Sequence, residues 1–234
     1  MFPTALSQNQ MSMAMSMLSK GIDAVVPNSD ISELEQRLFD ENGNFRLLPS
    51  SELLAFGFDK LRLLGHEYGI YQFPTLELIE ILTGIIGDKK CIEIGSGRGD
   101  IGRLLNIKTT DSHQQSKPQF RQLYESMNQP IIKYPKDVER LGYKDAIKKY
   151  RPDSVLGCWV THRYEPKLHH LGGNIEGIDG DFIVRRAKKF IFVGNTNTHK
   201  GWRFNELGKC QIYESDGIIS RAASGKNFVA VFNR

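Results

Sequence analysis

The sequence predicts an α/β fold: a mostly parallel sheet of seven strands that ends in an antiparallel hairpin and is preceded by a helical segment. Three observations predict it. Before residue 89, apolar residues recur at helical spacing. After it, short apolar runs alternate with helical stretches, the pattern that right-handed crossovers lay down as a parallel sheet covered on both faces. The last two runs are joined by turn signals in place of a helix. Composition agrees, since 234 residues with 40% hydrophobic and 25% charged side chains suffice for one sizeable core. No stretch approaches the roughly 18 consecutive apolar residues of a membrane span, and the N-terminus lacks a basic region followed by an apolar core. A cytoplasmic protein without a membrane partner is expected.

Residues 1–20 form a tail in which Met11, Met13, Met15 and Met17 alternate with small residues, without charge before Lys20. Such a terminus is expected to be flexible. Residues 21–88 form an acidic helical lead-in expected to pack on the core. Ser29 or Asp30 is placed to cap a helix carrying Ile31, Leu34 and Leu38, and Ser50 or Ser51 a second carrying Leu53, Leu54 and Phe58. Pro74 disfavours helix at Phe73, and Thr75 is placed to cap a helix from Leu76 to about Ile86. Tyr68, Tyr71, Gln72 and Phe73 make an aromatic loop just ahead of a glycine-rich region.

Residues 89–234 carry the alternating pattern. Strands are expected near Cys91–Ile94, Ile107–Thr110, Ile131–Tyr134, Ser154–Val160, Phe190–Gly194, Cys210–Glu214 and Phe228–Phe232. Helices fit near Asp100–Leu105, Pro118–Met127, Lys144–Tyr150 and Asp179–Lys188. Ser215-Asp216-Gly217 and Ser224-Gly225 supply the turn signals between the last two strands. Cys91, Cys158 and Cys210 are far apart and each sits in or beside an apolar run, which reads as reduced, buried thiols.

The net charge of +4 divides unevenly. Residues 1–90 hold 7 Lys and Arg against 12 Asp and Glu, and the remainder 24 against 15, so the two parts carry −5 and +9. A basic half suits an anionic partner. Its cations are spread along the chain, however, and its two clusters, Lys148-Lys149-Arg151 and Arg185 to Lys189, close expected helices, where the helix dipole favours them. A nucleic-acid partner is therefore not the favoured reading.

The strongest chemical feature is Glu93-Ile94-Gly95-Ser96-Gly97-Arg98-Gly99-Asp100. A strand ends in an acid, alternating glycines let a ligand approach the backbone, and a helix begins. The next strand ends in Thr109-Thr110-Asp111-Ser112, where a carboxylate at the tip can accept from the two hydroxyls of a ribose. After the third, Asp137 and Val138 are placed to meet an adenine ring. Open parallel sheets bind ligands at the carboxyl ends of their strands, and all three acids converge there.

On these residues the chain resembles the class I S-adenosylmethionine-dependent methyltransferases over about residues 65–234. The resemblance implies a Rossmann-like domain whose seventh strand is antiparallel, with S-adenosylmethionine as cofactor and a methyl acceptor that it does not name. It implies that Glu93, Gly95, Ser96, Gly97 and Gly99 hold the methionine part, Asp111 with Ser112 the ribose, and Asp137 with Val138 the adenine. The fourth strand and its loop, Ser154 to His162, would complete the site, with Trp159 at the cofactor and His162 as general base. The usual Asn or Asp, two prolines and aromatic of the family's amino-methylating nucleic-acid enzymes are replaced by Gly157-Cys158-Trp159-Val160-Thr161-His162, which argues against base N-methylation. Cys158 lacks a preceding proline and reads as a core thiol.

Three further readings remain. Gly97-Arg98-Gly99-Asp100-Ile101-Gly102 satisfies the dinucleotide fingerprint, but Asp111 follows Gly102 by only 9 residues where roughly 20 are wanted. The spacing of 16 from Gly95 to Asp111 is short for a methyltransferase as well, so the first crossover helix must be curtailed. A cofactor-binding protein of the same fold without catalysis is the other alternative. Asn195, Asn197 and His199 after the fifth strand offer a second polar rim, and His169-His170 is not expected to hold a metal, since adjacent side chains rarely share an ion.

Overall fold

The computed structural model describes residues 29–126 and 129–234, so the methionine-rich tail and the first residues of the lead-in lie outside it. The lead-in consists of α1 (Ser32–Leu38), α2 (Ser50–Ala55), α3 (Phe58–Glu67) and α4 (Leu76–Ile86). The apolar faces of α1, α2 and α3 bury Leu34, Leu38, Leu53, Leu61 and Leu64 in one cluster with Phe73 of the loop before α4, and this cluster also takes in Ile219 from the far end of the chain. Thr75 caps α4 as expected: its hydroxyl accepts from the Leu78 N–H at 3.2 Å and donates to the Gly217 carbonyl at 2.6 Å.

Two caps differ from expectation. Ser50 is the first residue of α2, and Glu77 of α4 accepts both its N–H at 2.9 Å and its hydroxyl at 2.7 Å, so a carboxylate from a neighbouring helix does the work. Asp30 stands one residue before the N-cap Ile31 and accepts from the Ser32 N–H at 2.9 Å.

The sheet comprises β1 (Cys91–Ile94), β2 (Lys108–Asp111), β3 (Glu139–Arg140), β4 (Ser154–Cys158), β5 (Lys189–Asn195), β6 (Cys210–Tyr213) and β7 (Asn227–Asn233). Their spatial order is β3-β2-β1-β4-β5-β7-β6. The first five pair in parallel, and β7 runs antiparallel to both neighbours, with Ile191 opposite Val231 and Ile212 opposite Ala230. This is the Rossmann-like α/β organisation that the sequence implied, with the antiparallel strand placed inside the sheet. The order reverses between β1 and β4, which opens a crevice at their carboxyl ends.

The crossovers are α5 (Asp100–Leu104), α6 (Pro118–Ser126), α7 (Tyr143–Tyr150) and α8 (Gly180–Val184). The first is curtailed to five residues, as the short spacing to Asp111 requires. Alternating strand residues fill two cores. Ile92, Val155, Phe190, Phe192 and Phe232 face α7 and α8, while Leu156, Ile191, Val193, Val229 and Val231 face α4 and α5. No described helix is long and apolar enough to cross a membrane.

Three expectations are corrected. Ile131–Tyr134 is not a strand: it lies outside the sheet, and the third strand is the two-residue Glu139–Arg140, bonded beside Thr110 and Asp111. Its isoleucines are used elsewhere, Ile131 against Phe120, Leu123 and Tyr124, and Ile132 over Gly97 and Gly69. The helix expected to Lys188 stops at Val184, so the Arg185 to Lys189 cluster follows a helix end. Cys210 is exposed on the edge strand β6, whereas Cys91 is buried and Cys158 half-buried; all three are free.

Candidate ligand cavity at the carboxyl edge of the sheet

The cavity opens where β1, β2 and β4 end. Its floor is Glu93, only 2% exposed, whose Oε2 accepts from the Gly102 N–H at 2.9 Å. Burial pushes this carboxyl up to about 8, helped by repulsion from Asp100 and Asp111 and opposed by the Gly102 N–H and Arg103. Gly102 is required here because a Cβ would meet Glu93 Oε2 at 2.6 Å and collide with Thr109.

Above it runs the loop of Gly95, Gly97 and Gly99, all with positive φ (58°, 55° and 71°). Three of its amides are already used. Ser96 N–H donates to the Thr110 carbonyl at 3.1 Å, Gly97 N–H to Asp111 Oδ2 at 2.9 Å, and Gly99 N–H to the Ser96 carbonyl at 2.8 Å. The Ser96 hydroxyl, by contrast, is buried at the cavity wall and has no hydrogen-bond partner in the protein. A buried hydroxyl left this way is a standing invitation to a ligand.

Asp111, 7% exposed, gives its second oxygen to the His113 N–H at 2.7 Å, and its carboxyl also takes a hydrogen bond from the Tyr134 hydroxyl. Burial raises its pKa, and the Gly97 and His113 amides counter that. Beyond it the His113 ring stacks on Tyr134 with centroids 4.0 Å apart, and Gln115 Oε1 accepts from the Ile132 N–H at 2.8 Å. Gln115, Ile132 and Tyr134 thus form a wall that the sequence did not single out; Ile132 and Tyr134 sat in a presumed strand.

The other wall belongs to Trp159, whose left-handed φ of 55° is costly for a bulky residue. Its indole N–H donates to Gln72 Oε1 at 3.0 Å, and Gln72 Nε2 donates to the Ile219 carbonyl at 2.6 Å. Tyr71 and His199 lie against the indole at centroid distances of 5.9 and 5.2 Å. Tyr71 and Gln72 therefore close the cavity from the lead-in, while Tyr68 and Phe73 of the same loop pack elsewhere.

The sequence-selected residues divide clearly. Glu93, Gly95, Ser96, Gly97, Asp111, Ser112 and Trp159 line the cavity. Gly99 does not; it makes room for Val138, whose Cγ2 would lie 2.7 Å from a Cβ there. Val138 is accordingly buried behind the loop, and Asp137 is turned outward, 3.0 Å from Arg103 and 55% exposed. Neither reaches the cavity, because β3 begins later than expected.

His162 is also displaced. Its backbone bridges to Ile178 and its ring packs beside Trp202, in a neighbouring cleft with Arg163 and Arg186. The imidazole in the cavity is that of His199, 4% exposed. Its Nδ1 lies 2.9 Å from the Asn195 backbone nitrogen and 3.2 Å from the Asn195 carbonyl oxygen. Asn195 Oδ1 accepts from the Asn197 and Thr198 N–H groups, a turn-forming role.

No family model matches the chain, and no curated protein matches it. Among solved structures it is similar to the Pyrococcus abyssi tRNA (uracil-54, C5)-methyltransferase in complex with S-adenosyl-L-homocysteine: 17% identity over 67% of this chain and 37% of that one, TM-score 0.38. An rRNA methylase from Streptococcus thermophilus aligns at 11% identity over 67% of this chain and 93% of that one, TM-score 0.37. The precorrin 8W decarboxylase of Methanobacterium thermoautotrophicum aligns at 11% identity over 72% and 95%, TM-score 0.39.

Proposed function

We propose that the cavity binds S-adenosylmethionine and that the chain transfers its methyl group to an acceptor yet to be identified. One observation carries the reading: Glu93, Asp100 and Asp111 converge on a glycine loop whose Ser96, Gly97 and Gly99 amides are internally bonded. A dinucleotide pyrophosphate needs free amides and a positive field, and meets bonded amides and the Asp111 side chain here. A cofactor with a cationic sulfonium and ammonium is the better match to these acceptor groups. Arg98, which also lines the cavity, pairs with Asp100 at 2.8 Å, so these two charges offset each other.

In this reading Glu93 and the Ser96 hydroxyl receive the methionine part, and Asp111 receives the ribose diol beside Ser112. Bound S-adenosylmethionine supplies an activated methyl group for in-line displacement. The chain's own contribution is alignment and exclusion of water. Trp159 and Tyr71 wall the cavity, and the His199 imidazole is the ring nitrogen group among its lining residues suited to orient an acceptor. His162, expected as the base, lies outside.

Calorimetry with S-adenosylhomocysteine tests the reading, with saturable binding expected. The absence of both heat and a rise in melting temperature would overturn it. Release of S-adenosylhomocysteine from S-adenosylmethionine in cell extract then separates an enzyme from a catalytically silent binder. A nucleic-acid track is not favoured, because Arg163, Arg185, Arg186 and Arg203 in the neighbouring cleft are matched by Glu165, Asp179, Asp181 and Glu206.

A further inference from the structure

A second cleft, of about 300 Å³, opens beside the ligand cavity on the side of α7. Tyr143 and Lys144 of α7 form one wall, and Arg163, Ile175 and Glu176 of the segment after β4 form the other. Gly95 and Ser112 line the cleft and the cavity alike, as do Gly177 and Ile178, so the two spaces meet there.

The position of that junction has a chemical meaning. In the S-adenosylmethionine reading, the residues around Gly95 receive the methionine part and those beside Ser112 the ribose. The sulfonium is the atom that joins these two parts, which puts its methyl group at the junction of cavity and cleft. An acceptor has to reach the methyl in line with the bond that breaks, and the cleft is a route to it.

Four charged side chains line the cleft, and its two acids are already paired. Asp145 lies 3.3 Å from Lys148 and Glu176 lies 2.5 Å from Lys117, and neither lysine lines the cleft. The two cations differ, since Lys144 and Arg163 make no ion pair among the described residues. Lys144 Nζ rests against aromatic rings instead, 5.1 Å from the Phe182 centroid and 5.8 Å from that of Tyr143. Arg163 is anchored by its backbone, whose N–H donates to the Ile178 carbonyl at 2.9 Å. Its side chain stands on the ridge between this cleft and the neighbouring one, where Glu165 is taken by Arg203 at 2.6 Å, Asp181 by Arg185 at 3.0 Å, and Asp179 by the Phe182 N–H at 3.1 Å. Those pairs keep the neighbouring cleft from being an anion track, and they leave Arg163 over. Between the two spare cations lies apolar surface, the Tyr143 ring and the half-exposed Ile175. Such a lining fits a ligand with an apolar body and an anionic end, which a guanidinium grips through two parallel hydrogen bonds.

We propose that this cleft is the acceptor site and that the acceptor is a small molecule bearing a phosphate or carboxylate, held by Arg163 with Lys144 while its other end enters the cavity between Gly95 and Ser112. The acceptor role rests on the S-adenosylmethionine reading above.

Phenyl phosphate and benzoate, each a ring joined to an anion, serve as probes, with benzyl alcohol as the neutral control. Ligand-observed NMR, with and without S-adenosylhomocysteine, is expected to show one or both anions bound in either state; which of them binds tells phosphate from carboxylate. Benzyl alcohol should bind at least about tenfold more weakly. Arg163→Gln should weaken the anion by about tenfold, the scale of a hydrogen bond to a charged group, and Arg163→Lys, which keeps the charge and loses the fork, should fall between. Affinity for S-adenosylhomocysteine should stay within about twofold in both variants, which certifies their fold.

Displacement of the anion by S-adenosylhomocysteine would overturn the proposal, since it would place the anion in the cofactor cavity. Equal binding by wild type and Arg163→Gln, or failure of both anions to bind, would overturn it too, and binding of a single-stranded oligonucleotide in their place would point to a nucleic-acid acceptor. Wild-type protein that binds the anion through Arg163 but not S-adenosylhomocysteine would instead overturn the cofactor reading, and the acceptor role with it, leaving the cleft an anion site.

Discussion

Replacing Glu93 with glutamine should make the ligand-free protein more stable at pH 8 than the wild type, by an amount that vanishes in acid. Glu93 is buried and its carboxyl titrates at about 8 in the fold, against 4.5 in the unfolded chain. A raised carboxyl means that the folded state holds a proton that the unfolded state has released, so stability is greatest below 4.5 and is lost as pH rises through 8. Between pH 5 and pH 8 that loss amounts to about 3 kcal/mol, at roughly 1.4 kcal/mol per pH unit across the interval. For a chain of this size the melting temperature should fall by roughly 6–12 °C in the wild type relative to the variant. Glutamine keeps an oxygen for the Gly102 N–H and removes only the charge. Urea or thermal unfolding of both proteins at pH 5, 6, 7 and 8 measures the divergence. Parallel curves would refute the argument, since they would mean that Glu93 ionises in the fold as easily as in water.

Three other substitutions test the remaining structure. Asp137→Ala should leave S-adenosylhomocysteine affinity within twofold and stability within about 0.5 kcal/mol, because it removes one exposed ion pair with Arg103; Asp111→Ala should cost tenfold or more in the same titration. Thr75→Ala should lower unfolding free energy by about 1–2 kcal/mol with an unchanged urea slope, since it removes the α4 cap and leaves the Gly217 carbonyl without its donor.

The sheet was legible wherever strands were buried on both faces, because such strands read as apolar runs with little alternation. The glycine loop was legible for the same local reason, its acid, glycines and helix start being contiguous. The third strand was not, since a two-residue strand of Glu139 and Arg140 carries no apolar signal while Ile131 to Tyr134 does. Histidine roles depended on direction, which chain order does not encode. His162 and His199 both follow strand ends, yet the bridge to Ile178 turns one away and the Asn195 turn aims the other inward. The spare charge at Arg163 was invisible because pairing is decided across the fold: chain order does not separate Arg163 from Arg203, which meets Glu165 and Glu206.

The position of β7 has a consequence for how this molecule comes into being. The last of the seven strands in chain order is an interior one, seated between β5 and β6. Until Asn227–Asn233 leaves the ribosome, the edge of β5 stands open along Phe190, Ile191, Phe192 and Val193, and β6 has no neighbour at all. Unpaired edges of that kind recruit other chains. Tyr71, Gln72 and Trp159 are synthesised early, but they cannot take up their final positions until the hairpin returns with Ile219. Binding competence should therefore switch on late and all at once, and loss of only the final strand should forfeit the cavity together with the sheet.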